Sequence, residues 1–576
     1  MPGLLRKRPF IPGAATSSFP RCVRQLTGAS TTSEGASTRP PPKVSPEVEG
    51  GSAQRLAAAG FSLAGLAGIF WGLSQGKSPE SMSFTNWSDT HDVTAKAFFQ
   101  PESMAELEHV ISKCHQSKQK VRVVGSALSP NGIAFNSEGM LSMALLDDII
   151  SIDKEKMQVR VQCGARVQEV VEALRPHGLT LQNYASIREQ QIGGFMQVGA
   201  HGTGAAIPPV DEQVISMKLV TPSKGPTELS KHDSDPSLFN LVRVGLGCFG
   251  VVSEATLQCV PAHKLLEKTF VSTVKEVKKR HTKWLKDNQH LRYMWIPHTD
   301  SVVVVQCNPI KEGFTPPPTT SPETAKLATL PAINLLKEVA KDGKIGSHPL
   351  SEVEEMTFFE MRDVLLGLDP LDVEWVKKVN KVEAEFWKRS EGYRVGWSDE
   401  ILGFDCGGQQ WVLEVAMPAG TVSRPSHAGL NYMDELREEI ESNGIPAHSP
   451  IEQRWTSSSA SALSPAASRK PDDLHSWIGI IMYLATEDPI ERQAITDRFM
   501  SYAKMTEKKL MPKYGATWHW AKLEVPEDPS ERKQVQEMIR KRFPVKEVQR
   551  WRGILDPHNI LGNHIVDMAF GDNVEG

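Results

Sequence analysis

The chain has 576 residues and a formal net charge of −4. One hydrophobic core rarely grows beyond about 250–300 residues, so this length predicts two folded domains. The body of the chain lacks the basic excess that accompanies nucleic-acid binding, and we therefore expect no nucleic-acid partner.

The N-terminus differs from the rest of the chain. Residues 1–43 carry seven basic residues against one acidic residue, Glu34, and are rich in Ser, Thr, Ala and Pro. That composition is typical of a mitochondrial transit peptide, which we assign to residues 1–50, although a disordered tail would have a similar composition.

A second N-terminal feature is an uncharged apolar stretch over residues 56–76. It is about as long as the ~20 residues that span a bilayer. It could span the membrane, act as a sorting signal or be removed with the presequence. Together with the basic presequence, it predicts a protein at the mitochondrial inner membrane whose body faces the intermembrane space.

The first folded block, residues 84–262, is predicted to be α+β. Apolar residues recur every three or four positions over 101–118 and predict a helix, and β-branched residues predict a strand at 121–124. Another strand is expected at 250–260. Residues 183–205 contain many glycines and show little regular pattern.

The second block, residues 263–576, is also predicted to be α+β. Strands such as "SVVVVQCNP" and "QQWVLEVAMP" are separated by long helical patterns. Two stretches rich in Pro and Ser, 314–324 and 457–473, are expected to be surface loops. A C-terminal piece, 509–576, ends the chain.

The cysteines are few and scattered. None is spaced as in CxxC, and histidines and cysteines do not cluster at metal-binding spacings, so we expect no metal site and no disulfide scaffold. A reducing or thiol-tolerant compartment is therefore predicted. The seven cysteines are Cys22, Cys114, Cys163, Cys248, Cys259, Cys307 and Cys406.

"GLGCFG", residues 245–250, matches the dinucleotide fingerprint G-x-G-x-x-G literally. The mechanism of that fingerprint needs a strand before the glycines and a helix after them. Here a helical pattern comes first and a strand pattern follows. We therefore reject a Rossmann site and expect these glycines to allow a close approach of backbone to a ligand.

Three glycine-bearing segments occur in the first block, at 124–132, 193–204 and 245–250. Glycine leaves room where backbone amides must reach phosphate oxygens. Three such segments in about 180 residues favour a large, planar, anionic cofactor over a set of ordinary turns.

At these residues the chain resembles a known family. "RVVGSALSP", "IREQQIGGFMQVGAHGTGA" and "GLGCFGVVSEATLQCV" are similar to the FAD-binding domain of the vanillyl-alcohol-oxidase flavoprotein superfamily. "PIEQRWT" (450–456) and "WHWAKLE" (518–524) resemble the cap domain of the aldonolactone oxidoreductases. The resemblance implies a two-domain flavoprotein: a PCMH-type FAD-binding domain over 84–262 and a substrate-binding cap over 263–576, of which 509–576 returns to the FAD domain.

The resemblance also implies which residues hold FAD. The first loop would wrap the pyrophosphate with its backbone amides. The implied cofactor-binding residues are Val124, Gly125, Ser126, Ala127, Leu128, Ser129, Ser186, Gly193, Gly194, His201, Gly202, Thr203, Gly204, Gly247, Gly250 and Val251.

Leu128 stands where many relatives carry a histidine that bonds covalently to the flavin. A leucine side chain has no nucleophilic atom, so we expect FAD to be bound without a covalent link. The resemblance puts His201 in a loop on the pyrophosphate side, where we expect a structural or cofactor contact.

Glu452 and Arg454 carry the expected substrate chemistry. They are two positions apart, so on an extended segment both side chains point the same way. Spacing alone would favour a surface salt pair, but the resemblance implies catalytic residues. Arg454 would stabilise negative charge that develops during hydride transfer, and Glu452 would orient the substrate hydroxyls, whether or not it also takes a proton.

Four further residues have weaker implied roles. Lys522 and His519 match a C-terminal family motif, although core packing around the neighbouring tryptophans explains them equally well. Ala185 is the implied gate that limits oxygen access to the flavin. Cys406 matches a cysteine near the family's substrate site, but from sequence alone it is equally well a buried structural thiol.

The resemblance implies oxidation of L-galactono-1,4-lactone to L-ascorbate, with cytochrome c as electron acceptor. An oxygen-using aldonolactone oxidase is one alternative. The other is a factor for assembly of respiratory complex I, because the plant enzymes that the chain resembles are linked to that process, and both roles could coexist.

Overall fold

The computed structural model describes residues 81–571, except 312, 314, 316, 318–325, 347 and 405–406. The predicted transit peptide (1–50), the apolar segment (56–76), Cys406 and most of the expected loop 314–324 therefore lie outside the described residues. Among the helices that are described, none is long and apolar enough to cross a bilayer.

The N-terminal half contains two main sheets. Its strands are β1 (Met82–Thr85), β2 (Asp92–Ala95), β3 (Phe98–Phe99), β4 (Arg122–Val124), β5 (Met140–Ser142), β6 (Ile149–Asp153), β7 (Gln158–Gln162), β8 (Leu179–Thr180), β9 (Val214–Thr221), β10 (Gly225–Ser230), β11 (Val251–Gln258) and β12 (Val260–Pro261). Its helices are α1 (Met104–Ser117), α2 (Val167–Leu174), α3 (Ile192–Gln197) and α4 (Ser237–Val242).

Five of these strands form an antiparallel sheet in the order β10-β9-β11-β7-β6, and three form a small parallel sheet in the order β3-β5-β4. The predicted helix at 101–118 is confirmed as α1: Ser103 caps its first turn, and Leu107 and Ile111 are buried on one face. The segment 183–205, expected to have little regular structure, contains the short helix α3, whose six residues are too few for periodicity to reveal.

The C-terminal half is built on one large sheet. Its strands are β13 (Lys264–Thr273), β14 (His290–Trp295), β15 (Ser301–Pro309), β16 (Lys344–Ile345), β17 (His348–Pro349), β18 (Gly392–Trp397), β19 (Gln410–Thr421), β20 (Ile451–Ser457), β21 (Asp473–Tyr483) and β22 (Thr517–Trp518). Its helices are α5 (Val274–Asp287), α6 (Leu330–Val339), α7 (Leu350–Val353), α8 (Phe358–Leu366), α9 (Val373–Arg389), α10 (Ser398–Leu402), α11 (Ala428–Ser442), α12 (Pro489–Met505), α13 (Met511–Tyr514), α14 (Pro529–Arg542), α15 (Val545–Leu555) and α16 (His564–Phe570).

Eight strands form the large antiparallel sheet, in the order β18-β13-β15-β14-β20-β21-β19-β22. Successive side chains alternate between its two faces. One face packs on helices; for example, Trp411 of β19 stacks on Phe499 of α12 at 6.0 Å between ring centroids. The other face carries Trp477 of β21, which stacks on His201 of the N-terminal half at 3.7 Å. This second face therefore lies against the first block.

The end of the chain contacts the N-terminal half. The Asn131 side-chain amide donates to Trp520 O at 2.9 Å, just after the turn that follows β4. Val121 N donates to Ile560 O at 2.7 Å, and Asn563 Nδ2 donates to Ile133 O at 3.0 Å. The division at 262/263 remains a prediction, but these bonds link the C-terminal segment directly to the predicted cofactor loop.

Candidate active site

The turn after β4 exposes a run of backbone amides. Trp87 N donates to Ala127 O at 2.8 Å and Asn86 Nδ2 donates to Ser129 O at 3.1 Å, so these carbonyl oxygens face the protein. Ala127 has φ 50°, a conformation that aligns neighbouring amides in anion-binding turns. Within the part of the chain that the structure describes, the amides of residues 125–129 donate no hydrogen bond. Such a turn fits the phosphate oxygens of a dinucleotide.

Hydrogen bonds connect β4 and its turn to the neighbourhood of the other two glycine-bearing segments. Ser126 Oγ donates to Glu189 O at 2.6 Å, which joins the turn to the segment before α3. The buried guanidinium of Arg122 donates to Leu246 O at 2.5 Å in the third segment. Half-buried positions here are Gly125, Ala127, Leu128, Ser129, Ser186, Gly193 and Gly247, and Ser126 is exposed.

Not every predicted cofactor residue faces open space. A Cβ on Gly194 would meet nothing within 4 Å, whereas one on Gly202 would lie 2.1 Å from a protein atom and one on Gly250 would lie 3.1 Å from one. Gly202 and Gly250 therefore serve close packing within the protein. Val124 and Val251 are buried in the core. Their role towards FAD remains a prediction.

Thr203 and Gly204 contact the second block. Gly204 N donates to Trp455 O at 2.7 Å, and Thr203 O contacts His290 Nδ1 at 2.6 Å. These bonds hold the "AHGTG" segment against the open face of the large sheet.

Glu452 and Arg454 lie on one face of β20, as their spacing predicted, but Arg454 is only 6% exposed, which excludes a surface salt pair. The register pairs Glu452 with Gly479 of β21 and Gly479 with Glu414 of β19. Because Gly479 has no side chain, the two carboxylates face each other across the middle strand. Arg454 Nη2 lies 3.2 Å from Glu452 Oε2 and 2.9 Å from Glu414 Oε1.

Glu414 is the centre of a buried charged cluster. Lys522 Nζ lies 2.5 Å from its Oε2, and His201 Nε2 lies 3.2 Å from its Oε1. His519 N donates to Glu414 O at 2.9 Å. Lys522 and His519, which sequence connected only weakly to the site, thus join Arg454 in one cluster. The His201 ring also lies here, near Glu414 and stacked on Trp477; its contact with FAD remains a prediction.

Electrostatics favour an ionised Glu414 and neutral histidines. Burial acts against the charged carboxylate, but the nearby Lys522, His201 and Arg454 hold the pKa of Glu414 well below its usual value. Burial lowers the pKa of both His201 and His519. His201, Glu414 and His519 offer donor atoms within 4.8 Å of one another. Because two cations already face that carboxylate, a divalent metal ion would be repelled.

A cavity of about 20 Å³ separates this sheet face from the first block. Arg292 of β14 reaches into it: its Nη1 lies 3.6 Å from Glu452 Oε1, and its guanidinium lies over the Phe404 ring at 3.9 Å from the centroid. The cavity is lined by Tyr184, Gly202, Thr203, Glu267, His290, Arg292, Val305, Cys307, Ile401, Leu402, Phe404 and Arg454.

Ala185 lies next to a residue of this cavity and packs, partly buried, against the main hydrophobic core. It follows Tyr184, which lines the cavity, and precedes Ser186, whose carbonyl accepts from Phe404 N at 3.0 Å. Arg188 Nη1 lies 2.8 Å from Asp399 Oδ2 and fixes this segment to α10. The backbone that follows Ala185 is therefore held at two points.

Sequence reasoning missed Glu414 and Arg292. Each is a charged residue within an otherwise apolar strand, in "QQWVLEVAMP" and "HLRYMWIP". A charged residue within a buried strand nearly always has a partner of opposite charge. This pattern could therefore have identified both residues as candidate site residues.

Two family models match the chain. The model described as "FAD binding domain" matches residues 95–228, and the model described as "D-arabinono-1,4-lactone oxidase" matches residues 255–342 and 360–569. The chain belongs to the FAD-dependent aldonolactone oxidoreductases. The resemblance of its glycine segments and of "PIEQRWT" is thereby confirmed, as is the two-domain α+β fold with an FAD-binding domain.

Curated relatives agree with this family. The chain is 53% identical over 500 residues to L-galactono-1,4-lactone dehydrogenase, mitochondrial, of Brassica oleracea, covering 85% of this chain and 83% of that one. The protein of the same name from Arabidopsis thaliana is also 53% identical, with 85% and 82% covered. L-gulonolactone oxidase of Bos taurus is 30% identical, with 77% and 89% covered.

Among solved structures, cholesterol oxidase from B. sterolicum is similar, with a TM-score of 0.65 and 14% identity over 85% of this chain and 97% of that one. At this identity the likeness concerns the fold alone.

Proposed function

We propose that this aldonolactone oxidoreductase is a mitochondrial enzyme that oxidises L-galactono-1,4-lactone to L-ascorbate, the last step of ascorbate synthesis. The observation that carries the proposal is the Glu452–Arg454 pair: buried Arg454 lines the cavity between the cap sheet and the first block, and Glu452, 3.2 Å from it, keeps a side chain that is 21% exposed. The relatives with 52–53% identity bear the name of this dehydrogenase.

The reaction removes two hydrogens from the lactone, one as hydride and one as proton. Bound FAD supplies the hydride acceptor. The amides of residues 125–129 and the α3 segment would hold its phosphates. Glu452 accepts hydrogen bonds from lactone hydroxyls and fixes the ring face, and Arg454 would stabilise the negative charge that develops on the substrate oxygen as the proton leaves, or on the flavin as it accepts the hydride.

Leu128 supports non-covalent FAD. It lies on the amide-bearing turn, half-buried, and it has no atom that can bond to the flavin. Denaturation with acid should therefore release all of the yellow chromophore into the supernatant. Colour that remains with the precipitated protein would contradict non-covalent binding.

Cytochrome c is the proposed electron acceptor, and Ala185 is the proposed reason that oxygen is excluded. The support is its place in the chain: Ala185 directly follows Tyr184, which lines the cavity, and the residues after it are fixed to Phe404 and Asp399, so one added methyl group can hinder a small gas without touching the lactone. Ala185→Gly should raise lactone-dependent oxygen consumption about tenfold or more, while cytochrome c reduction changes little. An oxygen rate equal to that of the unmodified protein would refute the gate.

We further propose that the body of the protein faces the intermembrane space at the inner membrane, where cytochrome c is present. The basis is the sequence alone, because residues 1–76 lie outside the described residues. Protease protection of isolated mitochondria tests it: digestion only after rupture of the outer membrane is expected, and protection until the matrix is opened would exclude it.

One experiment separates the proposed function from its alternatives. Purified protein is given L-galactono-1,4-lactone, and cytochrome c reduction and oxygen uptake are followed together. Reduction of cytochrome c with little oxygen uptake is expected. Rapid oxygen uptake would instead indicate an aldonolactone oxidase, and a colourless, inactive protein would favour an assembly role in respiratory complex I.

A further inference from the structure

We infer that Glu414 is a positioning residue of the reaction: its carboxylate holds the Arg454 guanidinium and the Lys522 ammonium in one place, so that Glu452 stays available to the substrate. This inference rests on the proposed function and concerns a residue that does not itself line the cavity.

The geometry makes Glu414 a bridge. Its Oε1 accepts from Arg454 Nη2 at 2.9 Å and its Oε2 accepts from Lys522 Nζ at 2.5 Å. Arg454 comes from β20 and Lys522 from the segment after β22, on opposite sides of β19. The two cations therefore share a carboxylate that lies between them.

Competition for Arg454 explains why the bridge matters. The same Nη2 atom lies 3.2 Å from Glu452 Oε2 and 2.9 Å from Glu414 Oε1. Without Glu414, Arg454 would keep Glu452 as its carboxylate neighbour at 3.2 Å, and Arg292 Nη1 already lies 3.6 Å from that same carboxylate. A carboxylate drawn into that pairing would be a poor acceptor for substrate hydroxyls.

Exposure distinguishes the two carboxylates. The Glu414 side chain is 4% exposed, whereas that of Glu452 is 21% exposed. Glu414 is thus buried against the two cations, while Glu452 remains reachable. A buried, fully paired carboxylate suits the fixing of charges, and a partly open one suits substrate contact.

The test uses single-turnover reduction of the bound flavin by L-galactono-1,4-lactone without oxygen, scored per bound flavin. Glu414→Gln keeps shape but removes the charge, and Glu414→Asp keeps the charge but shortens the side chain. Glu254→Gln is the matched control, because Glu254 lies 2.5 Å from Arg160 and 3.9 Å from Lys218, on a strand of the first block.

For Glu414→Gln we expect the limiting reduction rate to fall about tenfold or more, with a smaller change in lactone affinity. Glu254→Gln should reduce at the rate of the unmodified protein. A fall of less than tenfold in Glu414→Gln would overturn the inference. If that variant fails to retain flavin, Glu414→Asp decides by the same criterion.

A double variant adds a readout that a merely structural role would not change. If Glu414 acts through Lys522, the loss in Glu414→Gln/Lys522→Met should be smaller than the product of the two single losses. Independent, multiplicative losses would contradict the bridge. If the unmodified protein itself is not reduced by the lactone, the proposed function fails instead.

Discussion

The proposed cofactor turn at 125–129 and the charged cluster around Glu414 offer opposite kinds of chemical group to a ligand. The turn offers backbone amides that donate to no described protein group, and apart from Leu128 its side chains are small. In the cluster, charged side chains supply the polar groups: Glu414 faces two cations and Arg454 faces two carboxylates. A site made of backbone depends on conformation and tolerates changes of side chain, whereas a site made of paired charges does not.

The largest effect should come from the cluster. Arg454→Met removes the only guanidinium that contacts both Glu414 and Glu452 within the described chain, and we expect kcat/KM to fall about 10³-fold. FAD content should stay normal, because the amide turn is untouched. Steady-state kinetics with flavin quantification would check this, and Arg454→Lys should recover only part of the rate.

Glu452→Gln should have the next largest effect. The amide can still accept hydrogen bonds from lactone hydroxyls, but it lacks the charge, so we expect kcat/KM to fall about 10²-fold with unchanged flavin content. Assays at several lactone concentrations would separate binding from turnover. Kinetics within twofold of the unmodified protein would remove Glu452 from the active site.

A change of conformation should affect the turn and leave the cluster intact. Ala127 has φ 50°, which a β-branched residue adopts only with strain. Ala127→Val should weaken FAD binding about tenfold, whereas Ala127→Gly should bind as well as the unmodified protein. Once saturated with FAD, the Val variant should turn over lactone normally. Flavin release measured by fluorescence would test this, and equal retention in both variants would contradict the role of the turn.

The smallest effect concerns stability. Burial raises the pKa of Glu507, which accepts from Trp518 Nε1 at 2.6 Å, to about 7. The folded state therefore favours the protonated carboxyl. The stability that Glu507 contributes is fully present below about pH 4.5 and is lost as the pH rises through 7. Glu507→Gln should increase the free energy of unfolding by about 1–3 kcal/mol at pH 8 and change it little at pH 5. Melting temperatures measured at the two pH values would check this.

Local pattern predicted much of the molecule because its signals lie within a few residues. The period of α1 and the two-residue spacing of Glu452 and Arg454 both follow from backbone geometry. Order along the chain also excluded a Rossmann site at 245–250, since α4 precedes these glycines and β11 follows them. Resemblance to a family supplied the cofactor and the substrate.

The register between strands that are distant in sequence could not be predicted from such local patterns. Glu414 and Glu452 face each other only because β19, β21 and β20 are neighbours, in a register that pairs both glutamates with Gly479. The position of His201 depends likewise on its stacking against Trp477, which is distant in sequence. Helix α3 is too short for its period to be seen.

The bonds between the cofactor loop and the chain end have a consequence for biogenesis. Asn563 donates to Ile133 across 430 positions of sequence, and Val121 N to Ile560 O supports the strand that leads into the amide turn. During synthesis or import, the first domain can form most of its own sheet early. The proposed cofactor turn gains these bonds only once residues 560–563 are present. A variant truncated after residue 555 should therefore fold its first sheet but hold little FAD, and it should be colourless.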